Sequence, residues 1–153
     1  MAAQKFTDTE TKKSIDELLK KTDHQTAARW AAECAEHVLF YYEQQRPHDE
    51  RLRKAIKAAQ QWAKGELGIR AAREAAFPAH AAAREATDDA AIAAARAAGQ
   101  AGATPHSIGH AVHASTYAAK AVAFEMDFDE GAIAEERNWQ YNRLKELLVP
   151  QKN

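Results

Sequence analysis

Sixteen of the 28 positions from Ala71 to Ala98 are alanine, and no other feature constrains the fold as strongly. Alanine favours helix because it loses no side-chain entropy, and its small methyl lets neighbouring backbones approach closely. Arg70, Arg73, Glu74, Arg84, Glu85 and Arg96 are interleaved through the region and supply a solvated face. The stretch therefore predicts a tight helical hairpin, not a disordered low-complexity tract. No alternating run rich in Val, Ile or Thr occurs anywhere, which leaves β-structure without support. The expected class is all-α: one domain spanning 1–153, with its core over roughly 10–149, arranged as a compact array of about seven helices.

The breaks between helices are marked by residues with known terminal preferences. A first helix is expected from Ser14, or nearer Thr9, to Lys21. Thr22-Asp23-His24-Gln25 has capping-box spacing, with Thr22 as the cap of a second helix running to about Gln44. Its core stripe is Ala27, Ala31, Cys34, Val38 and Tyr41. Pro47 interrupts, Asp49 and Glu50 place negative charge at the next helix start, and Gly65 or Gly68 ends that third helix. A fourth runs from Ile69 to Ala86 and contains Pro78, which must kink or divide it. Thr87-Asp88-Asp89 caps a fifth that ends near Gly99 to Gly102, and Thr104-Pro105 is expected to open the sixth. The last corner, Asp127 to Gly131, leads into a seventh helix that buries Ile133, Arg137, Gln140, Tyr141, Leu144 and Leu148, and Pro150 stops it.

The sixth segment is the expected centre. Ser107 to Met126 is apolar nearly all round, with Ile108, Val112, Ala119 and Val122 on one side and His106, His110, His113, Tyr117 and Phe124 on the other. His106, His110 and His113 stand at i, i+4 and i+7, so adjacent pairs could share a metal ion but the outer two are about 10 Å apart along the axis. A metal would need one pair plus donors such as His80, His37, Glu33, Glu36 or Asp127. No metal or cofactor is favoured, because Glu-x-x-His does not recur at di-iron spacing. The simpler expectation is a semi-polar core, each imidazole donating one N–H to a carbonyl, hydroxyl or carboxylate, with hydroxyls offered by Ser115, Thr116, Tyr117, Tyr41 or Tyr42. No P-loop, dinucleotide-binding glycine pattern or nucleophile elbow is present.

Lys and Arg number 21 against 22 Asp and Glu. That balance argues against nucleic acid as the main partner, which calls for a basic face. Without a signal-peptide core or a membrane-length apolar run, the expected setting is the cytoplasm, with no membrane partner. Cys34 is the single cysteine, which excludes an internal disulfide and predicts a buried, inert thiol. Trp30, Trp62 and Trp139 are expected to pack against the alanine-rich segment. Phe40, Tyr41 and Tyr42 cannot all face inward at ~100° per residue, so Phe40 or Tyr42 should be exposed or meet a partner. Glu33, Glu36, Glu43, Asp49 and Glu50 form the acidic set that could face a basic partner.

Four segments together carry a family resemblance: Ala28 to Leu39 (ARWAAECAEHVL), Arg53-Lys54-Ala55-Ile56 leading to Trp62-Ala63-Lys64-Gly65-Glu66, Ala79 to Arg84 (AHAAAR), and His106 to Tyr117. In this order, over roughly residues 25 to 125, the chain resembles the Imm-5-like immunity proteins of bacteria. The resemblance implies a non-enzymatic protein that binds and neutralises a cognate bacterial toxin, and it transfers no catalytic residues. Two other functions fit the residues alone: a metal- or histidine-dependent enzyme over His80, His106, His110 and His113, or a structural module that forms homo-oligomers.

Overall fold

The computed structural model describes residues 5–149, among which every regular element is helical. Eight helices follow one another: α1 (Thr11–Leu19), α2 (His24–His37), α3 (Leu39–Glu43), α4 (Arg51–Ala63), α5 (Ile69–Glu85), α6 (Asp89–Ala103), α7 (His110–Glu125) and α8 (Glu130–Leu148). The expected stop at Pro150 lies outside the described residues. The helix beyond the expected seven arises at Val38, where φ −115° and ψ 6° separate α2 from α3. The Val38 amide bonds the Ala35 carbonyl, which tightens the last turn of α2 and redirects the chain so that Leu39 and Tyr42 are buried.

Local chemistry sets most of the other boundaries. Asp23, not Thr22, caps α2: its carboxylate accepts the Thr26 amide at 3.0 Å. Thr22 still belongs to the turn closing α1, with its hydroxyl donating to the Leu18 carbonyl at 2.8 Å. Asp88 caps α6 as expected, and Asp129 caps α8, each accepting the amide three residues on. Gly65, at φ +77°, follows α4 in the left-handed conformation that glycine adopts without strain. Pro78 does not divide α5, and it lies on the exposed side of that helix.

The centre is α6, not the segment after Pro105. Ala90, Ala91, Ala93, Ala94, Ala95, Ala97, Ala98, Gly99, Ala101 and Gly102 are all buried, and α6 packs on α2, α3, α4, α5 and α7. Its glycines do not end it. A methyl at Gly99 would come within 2.5 Å of the His80 ring, and one at Gly102 within 2.9 Å of Ala76 Cβ. Both are close-approach points for α5. Thr104 is consequently the C-cap of α6, donating its hydroxyl to the Gln100 carbonyl at 3.1 Å, and α7 starts only at His110. On α7 the buried face is small: Ala111, Ala114, Ser115, Ala118, Ala119 and Ala121 to Ala123. Ile108, expected in the core, is 42 % exposed in the preceding turn.

The opposite flank is built differently. Trp30 is fully buried and its indole N–H donates to the Gln140 carbonyl at 2.8 Å. Arg137, also fully buried, has all five N–H groups engaged. They reach Asp8 through two bonds (3.0 and 2.7 Å), Ser115 Oγ, Gln140 Oε1 and Thr116 Oγ1. A buried guanidinium is tolerable only when its charge and every donor are matched, and here they are. The network ties the segment before α1 to α7 and α8. Ile133, Arg137, Gln140 and Leu144 are buried on α8 as the sequence predicts.

Long-range contacts define two ends of the array. At one, His24 Nε2 donates to the Thr104 carbonyl at 2.7 Å and its ring meets Trp62 at 4.6 Å, joining the start of α2 to the ends of α4 and α6. At the other, His37 Nδ1 bonds Glu136 at 2.9 Å and Arg46 donates to the Glu85 carbonyl at 2.9 Å. This second end gathers α3, the ends of α2 and α5, and the start of α8.

Candidate interaction sites

The three histidines of the expected column, His106, His110 and His113, do not share one helix. His106 lies exposed in the turn after α6, His110 is the first residue of α7, and His113 is exposed. The expectation that neighbouring helices enclose both sides of this segment therefore fails: its imidazole side faces solvent. His110 is half-buried and its Nδ1 lies 2.7 Å from Gln100 Oε1, an acceptor, so that nitrogen carries the proton. Burial lowers its pKa, and His113, His106 and His80 lower it further by charge repulsion. His80, packed over Gly99, is lowered by burial and by Arg84.

The hydroxyls expected to serve these rings are engaged elsewhere. Ser115 and Thr116 donate to the Val112 carbonyl and accept from Arg137. Tyr42 donates to Asp49 near the opposite end. The other donors considered for a metal are also scattered: Glu33 bonds Arg143, His37 bonds Glu136, and Asp127 lies beyond the far end of α7. Among the described residues no group of three or more His, Cys, Asp or Glu side chains has the geometry to hold a metal ion. Cys34 is fully buried, and burial pushes its thiol pKa well up.

The acidic set is largely matched within the chain. Glu33 accepts from Arg143 at 2.9 Å, and its second oxygen is buried 3.6 Å from Arg29 Nε. Glu43 takes a two-pronged contact from Arg53 at 2.8 and 3.2 Å. Asp49 accepts from the Arg51 amide and guanidinium and from the Tyr42 hydroxyl. The Arg51 guanidinium holds the Asp49 carboxyl far below the usual carboxylate range. Glu50 is exposed, 3.9 Å from Lys54, and Glu36 is exposed. Of the paired aromatics, Phe40 is 48 % exposed whereas Tyr42 is fully buried. Trp139 is half-buried and stacks on the His37 ring at 3.7 Å and 9°, so only Trp30 of the three tryptophans is wholly interior.

Sequence reasoning placed the corner at Asp127 to Gly131 but gave it no functional role beyond naming Asp127 as a metal donor. Phe124 is 40 % exposed and Met126 50 %. Phe124 meets Phe128 edge-on at 5.4 Å. Asp127 and Phe128 both adopt left-handed φ values, +55° and +61°, and the Phe128 amide bonds the Ala123 carbonyl at 2.7 Å to close α7. Glu125, Asp127, Asp129 and Glu130 flank these apolar side chains in the sequence. None of the four forms an ion pair among the described residues. The available signal was the interval 121–136, which holds six acidic residues and no Lys or Arg.

Two grooves lie elsewhere on the described surface. One, of about 460 Å³ between α2 and α4, is polar and lined by Gln25, Arg29, Glu33, Glu36, Gln60 and Lys64. The other, of about 660 Å³, is lined by Leu19, Ile108 and Val112 together with Lys13, Glu17 and Lys20. Neither contains any of the four histidines.

A family model described as Imm-5 like putative immunity protein matches residues 17–147, from the second half of α1 nearly to the end of α8. The chain belongs to this Imm-5 like family. Its match includes all four segments that carry the sequence resemblance, as well as the α7–α8 corner and Arg137 of α8. Neither the curated proteins nor the solved structures yield a match to this Imm-5 like chain. No helix among the described residues is long and apolar enough to cross a membrane.

Proposed function

We propose that this chain is a non-enzymatic immunity protein that binds a cognate bacterial toxin and neutralises it by covering the surface the toxin works with. The observation that carries the reading is the family match over residues 17–147. The architecture suits the role. An alanine-packed interior around α6 and the matched Arg137 network hold the helices in fixed relation, so exposed side chains can meet a partner without being reordered first. Inhibition by coverage asks for apolar anchors inside a polar rim and for charges that select the partner. The proposed setting is the cytoplasm.

The test is capture from the native bacterium with the full chain as bait, followed by expression of each captured protein alone and with the chain. The expected result is one protein that arrests growth alone and is tolerated when co-expressed. If no captured protein is toxic, or toxicity persists beside the chain, the immunity reading is wrong.

A further inference from the structure

We infer that the α7–α8 corner, with Phe40 beside it, is the docking surface, and that its occupant is a protein surface carrying Lys and Arg around an apolar contact. The inference names a surface and a partner chemistry for the immunity reading and rests on that reading for the partner's identity.

Three exposed apolar side chains mark the place: Phe40 on α3, Phe124 at the end of α7, and Met126 just after it. Large apolar groups gathered at one end, with an acidic border, are the pattern of an interaction site, since a single exposed one needs no explanation. The chain itself links them. Phe40 packs on Tyr41 at 4.1 Å, and α3 directly follows the end of α2, where His37 bonds Glu136 of α8 at 2.9 Å. Glu125 stands between Phe124 and Met126 in sequence.

The border selects the occupant. Glu125, Asp127 and Glu130 carry negative charge that no cation of the described residues neutralises, and Glu36 is exposed on the neighbouring end of α2. A second copy docking face to face would set these carboxylates against their own counterparts, which like-charge repulsion opposes. Phosphate-rich nucleic acid and anionic lipid surfaces meet the same repulsion. A cationic protein surface is attracted, and burying its apolar contact against Phe124 and Met126 lowers the local dielectric around the opposed charges. Glu33, Glu43 and Asp49 cannot serve in the same way, because they are already matched by arginines.

The test uses two partners. The first is a synthetic amphipathic peptide with leucines on one side bordered by Lys and Arg, titrated into isotope-labelled full chain, with a control peptide bearing Glu instead. The cationic peptide is expected to move amide signals at 36–43 and 120–133 and leave those around His80 and His110 in place. The triple variant Glu125→Lys, Asp127→Asn, Glu130→Gln should weaken it about tenfold or more, as should Phe124→Ser with Met126→Ser, while Glu66→Lys elsewhere on the surface should not. Asparagine is used at position 127 because it tolerates the left-handed backbone there.

The second partner is the toxin, once captured, measured against the same variants. Signals moving elsewhere, equal binding of the Glu peptide, or unchanged affinity of the triple variant for the toxin would overturn the assignment. So would dimerisation of the chain that is lost in the Phe124→Ser, Met126→Ser variant. If wild type protects against a toxin that the triple variant binds equally well, the immunity reading stands and this surface falls. If no toxin is found, the peptide titration still decides the surface.

Discussion

Two acidic regions of this molecule carry similar residues and behave oppositely. Glu33, Glu43 and Asp49 meet arginines: Arg143 on Glu33, Arg53 on Glu43, Arg51 on Asp49, each with a closest approach of 2.8 Å, typical of charge-assisted bonds. Between Glu125 and Glu130 the carboxylates meet solvent. The first region joins α2 to α8, the α3 end to α4, and the α4 start to α5 through Arg51 and Glu85. Its charge is directed inward and supports the fold. In the second, Asp129 caps α8 by accepting the Ala132 amide, while Glu125, Asp127 and Glu130 contribute little to folding and leave their field free to act on a partner. Acidic residues in a sequence are therefore not equivalent, and what separates these two groups is whether a guanidinium lies within reach.

Substitutions should sort the same way. The largest effect is expected at the most completely matched charge. Arg137→Met removes a buried cation and leaves Asp8, Ser115, Thr116 and Gln140 without their partner, which should cost about 3–5 kcal/mol of stability in urea denaturation. A loss below about 1 kcal/mol would show that the network is not holding α7 to α8. Asp49→Asn comes next. It leaves Arg51 and Tyr42 imperfectly paired and should cost about 1–3 kcal/mol by the same assay. Because the folded-state pKa of Asp49 is lowered from 3.8, its contribution is full above that value and is lost as acidification approaches the folded value.

A smaller, pH-dependent effect is expected at the histidine end. His80 and His110 have folded-state pKa values below 6.5, so the unfolded chain takes up their protons first as pH falls. Their contribution to stability is full above about 6.5 and declines as pH drops from there toward the folded values. Thermal midpoints measured from pH 7.5 to 5 should fall, and His80→Gln with His110→Gln should flatten that fall; an unchanged slope would show that these rings are not desolvated. The smallest effect on stability belongs to the corner. Glu125→Lys with Asp127→Asn and Glu130→Gln should shift stability by no more than about 0.5 kcal/mol, the usual range for surface changes away from packed features. A larger loss would mean that the corner's charges support the fold after all, and the contrast between the two regions would disappear.

Much of the fold was legible because helix chemistry is local. Alanine content, the Asp88 cap and the apolar spacing of Ile133, Arg137, Gln140 and Leu144 each depend on neighbours within a turn or two, and each holds in the structure. Gly99 and Gly102 misled because a glycine has two uses. Ending a helix is a local one, whereas admitting His80 and Ala76 from α5 depends on a helix whose position the sequence does not state. Reading them as a stop placed a helix start at Thr104, put His106 on that helix, and created a column of three histidines that the fold does not contain. The pairing within the acidic set was equally out of reach: Arg143 is 110 residues from Glu33, and only the folded chain reveals that one is matched by the other. The free charges at 125–130 were visible as a run without Lys or Arg, but nothing local distinguished them as unmatched.

The most direct measurement is a calorimetric titration of the captured toxin into wild type and into the Glu125→Lys, Asp127→Asn, Glu130→Gln variant at two salt concentrations, with thermal midpoints taken on the same samples. The account predicts an affinity at least about tenfold weaker for the variant, a shallower salt dependence, and a nearly unchanged midpoint. Equal affinities and equal salt dependence, at equal stability, would contradict it.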